Sequence, residues 1–397
     1  MTTTRRLVGI DLARTLALLG MFAAHLATHE GDGPGGVSWL FQLVAGRSSA
    51  LFAVLAGVSI ALAAPLPAVR ADPRLHRRRL LVRSALIAGL GLLVGLPGSG
   101  IAVILTYYGL LFCCALPVLQ WRARSLAWLA LGWGLLSPLV SLLVRQVLPD
   151  PTLAVPSVAS LLVVGPVQLL TELLVTGYYP VLTWATYLFA GLAVGRWLQA
   201  RDGADRTVMG SLVLGGAGLA ALALGVSAVL LRSEQVRAAL LESAGLAADA
   251  WPALDADRRT GFYGTHPEGS AWWLGVWAPH SGSVVDLAHT TGTALLVLGG
   301  CLALVRATSA LPWSVLAGAG RATLTLYVAH VLVLATPLGD QGPLARETST
   351  GLVLHGLLAL VAGALLAASG RRGPLEELVH RSTHGPAVTS APTRPPG

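Results

Sequence analysis

Lysine is absent from the chain, and charge of any kind is scarce: 12% of residues are Asp, Glu or Arg, about half the share expected of a soluble domain. That excludes an ordinary water-facing fold of this length. The formal net charge of +8 is carried by arginine alone. The arginines lie in short connections between apolar runs rather than together on one soluble face, so a nucleic-acid surface is excluded and topology is their first role. Cysteine is nearly missing as well. Cys113, Cys114 and Cys301 all fall inside apolar segments, which excludes a disulfide framework or a thiolate metal site and leaves packing.

What fills the chain instead is apolar sequence, 54% of residues with a mean hydropathy of +0.69. Runs long enough to cross a bilayer, about 20 residues each, occur near 7–27, 37–64, 80–97, 100–119, 125–148, 178–199, 207–231, 284–306, 311–334 and 350–369. The fold class is therefore an all-α, polytopic transmembrane bundle of about ten helices. Arg5 and Arg6 before the first run imitate a signal peptide, but Asp11 and Arg14 interrupt its apolar core, so it reads as a retained helix.

The connection 65–79 carries Arg70, Arg74, Arg77, Arg78 and Arg79, and Arg122 and Arg124 follow the fourth run, so both connections are expected in the cytoplasm. Both termini then face the cytoplasm, and the protein is a multi-pass component of the cell membrane. The apolar stretch 152–177 holds Pro156, Gly165, Pro166 and Glu172 and is read as an outer surface or re-entrant helix. The long outer segment 232–283 contains Trp251, Phe262, Tyr263, Trp272, Trp273 and Trp277, which suit either a lid stacking on sugar rings or an aromatic belt at the headgroups. The organisation expected is a transmembrane domain over 1–373 and a cytoplasmic tail over 374–397, mostly disordered and dispensable.

Ionisable groups inside a membrane helix are costly and mark functional sites by default. Counted along their helices, His25, His330, Asp286 and His289 all fall at the outer level, with Arg47 and Arg321 near the midplane. Each has a bland reading beside the functional one: the arginines as holders of helix-end carbonyls, His330 as a packing histidine, His289 as a partner for Asp286. His355, alone in the last run, is read as structural. His25 is favoured as a general base because a histidine near the surface is both wet and basic. His25 and His29, with Glu30 after them, have metal-like spacing but lack a clear third ligand, so no metal is expected. At the cytoplasmic mouth, Arg14 and Arg83 lie inside their runs, with Arg77, Arg78 and Arg79 nearby, and guanidinium groups there suit the phosphates of an acyl-CoA.

The segments GIDLARTLALLGMFAAHL, GRSSALFAVLAGVSIAL, RRRLLVRSALIAGLGLLVG, ILTYYGLLFCCALPVL, LTWATYLFAGLAVGRW, AGAGRATLTLYVAH and RGPLEELVHR occur in order. Together they resemble the bacterial YeiB-like family, which is similar to the catalytic domain of heparan-α-glucosaminide N-acetyltransferase. The likeness is weakest over 149–177 and 232–283. It implies a transmembrane acyltransferase moving an acyl group, usually acetyl, from cytoplasmic acetyl-CoA or another acyl-CoA to a sugar, glycan or glycolipid acceptor across the membrane. It also implies an essential histidine, either in the loop after the first span, where His29 stands, or at the end of that span, where His25 stands.

The reading from the sequence is then acyl transfer, with Arg14, Arg83 and their neighbours on the cofactor's phosphates and His25, or failing it His29, at the chemistry. Arg47 or Arg321 would stabilise the oxyanion, and Asp286 would orient a histidine. Membrane lipid surrounds the protein, nucleic acid has no place, and the oligomeric state is left open. A transporter or flippase for a polar or lipid-linked solute is the rival, opposed by the lack of an inverted repeat and of a matched pair of broken helices. A non-catalytic scaffold is the third alternative.

Overall fold

The computed structural model describes residues 8–201, 205–308 and 313–384, less the side chains of Pro34 and Ser314. Arg5, Arg6 and the Thr/Pro-rich end of the tail lie outside the described residues. Within them the chain is helical, with no strand beyond a single bridge between Glu30 and Val37. The principal helices are α1 (Val8–Leu26), α2 (Trp39–Val44), α3 (Arg47–Ala63), α4 (Pro73–Val94), α5 (Leu105–Cys113) and α6 (Ala123–Arg145). They continue with α7 (Val181–Ala200), α8 (Arg206–Leu230), α9 (Val284–Ala307), α10 (Thr323–Leu334), α11 (Ser349–Ala368) and α12 (Pro374–His384).

Among the described residues, seven segments are long and apolar enough to cross a membrane: α1, α2 with α3, α6, α7, α8, α9 and α11. The protein is therefore a membrane protein. These coincide with seven of the ten expected spans, and the other three differ for physical reasons. The run at 80–97 lies on α4, whose first turns carry Arg74, Arg77, Arg78, Arg79 and Arg83. The run at 100–119 yields only the nine residues of α5. That at 311–334 is broken: a turn of helix at Trp313–Leu316, a 3-10 turn at Ala319–Arg321, then α10. The stretch 152–177 forms two six-residue helices and a π turn rather than a span, and Glu172 is buried there, accepting from the Thr152 amide and hydroxyl, each at 2.8 Å.

Packing follows the rules for helices in lipid, where small residues allow close approach. Gly191 and Gly195 of α7 leave no room for a Cβ against the α3 backbone, and Gly216 of α8 meets Gly292 of α9 in the same way. Buried Arg196 ties the ends together, donating to the carbonyls of Ala61 (3.1 Å), Ala64 (2.6 Å) and Leu119 (2.6 Å).

Three places depart from helix at the heart of the bundle. The chain breaks between α2 and α3 at Ala45 and Gly46, where Gly46 has φ +72 and packs against Pro279. It runs irregularly through Ser99–Val103. It breaks again before α10, where a Cβ on Gly320 would collide with the carbonyl of Asp11. Non-helical backbone at this depth needs internal partners. Arg346 donates to the carbonyls of Ser99 and Gly100, the Tyr179 hydroxyl donates to Ala102 O (3.3 Å), and the Ile104 amide donates to the Tyr327 hydroxyl (3.3 Å). The segments 39–63 and 313–334 are thus both interrupted, at Ala45–Gly46 and at Gly318–Ala322.

Residues 232–283 build a small cap of their own. Helices Glu234–Ser243 and Trp251–Thr260 enclose Val236, Leu240, Leu241, Leu254, Trp273 and Val276. Its tryptophans divide between that core (Trp273, with Trp251 packed against it), a ring under the Arg47 guanidinium (Trp277, 5.1 Å) and a half-exposed face (Trp272). The tail also departs from expectation. Its first eleven residues form α12, whose Glu376 caps α10 by accepting from the amides of Leu324 (2.7 Å) and Thr325 (3.3 Å) and the Thr325 hydroxyl (2.6 Å). A helix start left without partners is costly, and Glu376 supplies them here.

Candidate active site

The breaks in α2–α3 and before α10 open two cavities that share a wall. The larger, about 610 Å³, is lined by Arg14, Arg79, Arg83, Arg321 and Arg372, with Leu55, Ile60, Ile87 and Phe112 between them. That volume suits a small-molecule or cofactor site. The smaller, about 140 Å³, is lined by His25, His29 and His280 with Phe41 and Tyr179. Met21, Ile104 and Tyr327 line both. Two helices carry the same order past this wall: Arg14, Met21, His25 on α1 and Arg321, Tyr327, His330 at α10. At about 1.5 Å per residue, Arg14 and His25 lie about 16 Å apart along α1.

On the arginine side, α4 decides which guanidinium groups face inward. His76, Arg79, Leu80, Arg83 and Ile87 recur at three- and four-residue spacing and line the cavity, whereas Arg77 and Arg78 fall on the opposite face and are exposed. Arg14 is held by Asp11 (2.8 Å) and the Ser59 hydroxyl. Arg83 lies over the Phe112 ring at 5.3 Å, and the Nε atoms of both Arg79 and Arg83 are buried with no hydrogen-bond partner. Helix α12 closes the mouth with Glu376, Val379, His380, Thr383 and His384.

On the histidine side, His25 Nδ1 lies 3.1 Å from His330 Nε2, and His330 Nδ1 lies 3.0 Å from His355 Nδ1. His355 Nε2 is 3.3 Å from the carbonyl of Leu344. Phe22 stacks on His330 with centroids 4.1 Å apart. His355, read from the sequence as a lone structural residue, is therefore the inner end of a histidine chain. His29 is exposed, its ring tilted against Phe41 at 4.2 Å. His280 was missed altogether. It reaches the cavity from the cap in a left-handed conformation, φ 56, stacked beside Trp184, and burial pushes its imidazole down to about 4. A non-glycine residue held at positive φ beside a cavity is a structural signal that no sequence pattern displays.

The remaining expected residues form a separate group. Arg47 donates from Nε to His289 Nε2 (3.0 Å) and from Nη1 to the carbonyls of Gln42 and Leu43, and His289 Nδ1 is 3.2 Å from Ala220 O. Asp286 accepts from the Gly282 amide (3.2 Å) rather than from His289. These three lie outside the linings of both cavities. Arg321, expected near the midplane, lies on the arginine side because the break before α10 places it there. Among the described residues no group of three or more His, Cys, Asp or Glu has the geometry to hold a metal ion.

No protein with a curated description matches the chain. The family model that does match, over residues 6–231 and so more than half the length, is that of the heparan-alpha-glucosaminide N-acetyltransferase catalytic domain, and the chain belongs to that family.

Proposed function

We propose that the protein is a membrane acetyltransferase taking its acyl group from acyl-CoA, most simply acetyl-CoA, and passing it to an amine or hydroxyl of a sugar, glycan or glycolipid on the far side of the cell membrane. The observation that carries this reading is the pair of cavities separated by Met21, Ile104 and Tyr327, one cationic and one lined by histidines. Buried Arg79 and Arg83 nitrogens without partners fit an anionic guest, because an uncompensated cation is costly in the membrane and phosphate oxygens would complete it. Arg14, Arg321 and Arg372 would share the phosphates, while exposed Arg77 and Arg78 set orientation in the membrane.

The thioester would meet the wall, with the acceptor in the histidine cavity. His25 Nε2 takes the proton of the acceptor as its N or O attacks the thioester carbon. The new C–N or C–O bond forms, the C–S bond breaks, and the proton passes to the departing CoA thiolate. Tyr327 is the better candidate for the oxyanion than Arg47, whose Nε and Nη1 donors are engaged, or Arg321, which lies with the phosphates. Its hydroxyl accepts from the Ile104 amide and has its own hydrogen left to give. Arg47 and His289 then serve as a lock on α3, α8 and α9.

The test is to supply purified protein in lipid with radiolabelled acetyl-CoA and follow label into cell-envelope glycans and lipids. Transfer to a glycan supports the reading. Intact solute crossing the membrane with no transfer would favour the transporter alternative, to which the broken helices at Gly46 and Gly320 lend their geometry.

A further inference from the structure

We propose that His330 and His355 are positioning residues that fix the tautomer of His25, so that Nε2 carries its lone pair. This rests on the reading of His25 as the base, but the chain of hydrogen bonds can be followed without it. A carbonyl oxygen only accepts, so at 3.3 Å from Leu344 O the His355 Nε2 must bear the hydrogen. A neutral imidazole has one N–H, which leaves His355 Nδ1 bare and able only to accept. Its neighbour at 3.0 Å, His330 Nδ1, is therefore the donor. His330 Nε2 is then bare and accepts from His25 Nδ1 at 3.1 Å. His25 Nε2 is the nitrogen left over, on a ring that lines the smaller cavity.

One backbone carbonyl thus dictates three tautomers in sequence. The supporting contacts hold the rings to that pattern: Phe22 lies against His330 at 4.1 Å and 22°, and the His25 and His330 planes are within 12°. His330 and His355 are both buried, so water does not compete for the intermediate nitrogens. Without the chain, His25 would be free to place its hydrogen on Nε2 and present a donor to the acceptor substrate. A histidine base in the wrong tautomer is catalytically crippled even when its position is kept.

The experiment is solid-state NMR of the full-length protein, labelled with 15N-histidine, in a lipid bilayer at neutral pH, with the His25 signals assigned by subtracting the His25→Asn spectrum. The expected result is a hydrogen on His25 Nδ1 and a bare Nε2. His355→Leu should give a mixed or reversed His25 tautomer. His355→Asn should restore the wild-type pattern, because its amide oxygen replaces the accepting Nδ1. In transfer assays His355→Leu should lower kcat by about one to three orders of magnitude at unchanged KM for acetyl-CoA, with the Asn variant near wild type. A purely structural histidine would lose folded protein in both variants without this split. Wild-type His25 bearing its hydrogen on Nε2 overturns the proposal, and it does so even if the Leu variant fails to fold. The expected tautomers in a protein that transfers no acetyl group would uphold the chain and sink the acyltransferase reading instead.

Discussion

His25 and His289 make an informative pair, since both were expected at one level of the bundle and both are built into chains of polar contacts. His289 has spent both ring nitrogens, Nε2 on Arg47 and Nδ1 on the Ala220 carbonyl, and it borders neither cavity. His25 has spent one, and its ring lines a cavity beside His29 and His280. Burial of a charge or an imidazole marks a costly position, but it does not separate a brace from a site. An unspent lone pair next to open space does.

The comparison breaks first at His25. His25→Ala is expected to lower turnover per folded molecule by about 10² to 10⁴-fold, far more than the loss of its hydrogen bond to His330 explains, whereas His29→Ala should leave most activity. An active His25→Ala with a dead His29→Ala in the labelled-acetyl assay would move the base to the loop. Next in size, Tyr327→Phe should cost about 10² in kcat and leave acetyl-CoA affinity intact, as for loss of one oxyanion donor. An unchanged kcat would return that role to another group.

On the cationic side, Arg83→Gln should weaken acetyl-CoA binding by about tenfold or more, the worth of one charged hydrogen bond, measured by calorimetry on the folded protein. Truncation after Gly373 should weaken binding as well and lower the unfolding temperature, because it removes the Glu376 cap of α10 along with the cavity mouth. Equal affinity in both variants would leave orientation in the membrane as the arginines' only supported role.

Arg47→Gln should behave in the opposite way from His25→Ala, losing about 1 to 3 kcal/mol of stability by leaving His289 and its neighbours unsatisfied, with turnover per folded molecule retained. A specific loss of kcat in that variant would erase the distinction between brace and site. The smallest effect concerns pH. His280 and His266 are both pushed down to about 4, His280 by burial and His266 by burial and then by Arg145. Their unfolded forms take up protons near the ordinary value of 6.5, so stability should rise with pH between about 4 and 6.5 and be level above. His280→Asn, which tolerates the left-handed backbone, should flatten part of that slope in thermal melts.

The all-helical membrane class, seven of the spans and the inward arginines Arg14 and Arg83 were legible in the sequence because each depends on neighbours along the chain: apolar run length, charge placement, and helical spacing. The same local logic singled out His25, whose ring lines the smaller cavity. It did not anticipate where the backbone turns irregular: through Ser99–Val103, met by Arg346, Tyr179 and Tyr327, and before α10, where the Thr15 hydroxyl accepts from the Gly320 amide. His280 was invisible because its position depends on a cap folding back over Trp184, and α12 was obscured by the Thr/Pro-rich residues beyond it. What the sequence alone determined is which polar groups fall within apolar helical segments and their order along each helix, since a helix rises by a constant increment. Which of those groups keeps a free lone pair was decided only by tertiary structure: His25 and His330 meet across 305 positions of sequence, and a hydrogen bond depends on distances that no pattern along the chain encodes.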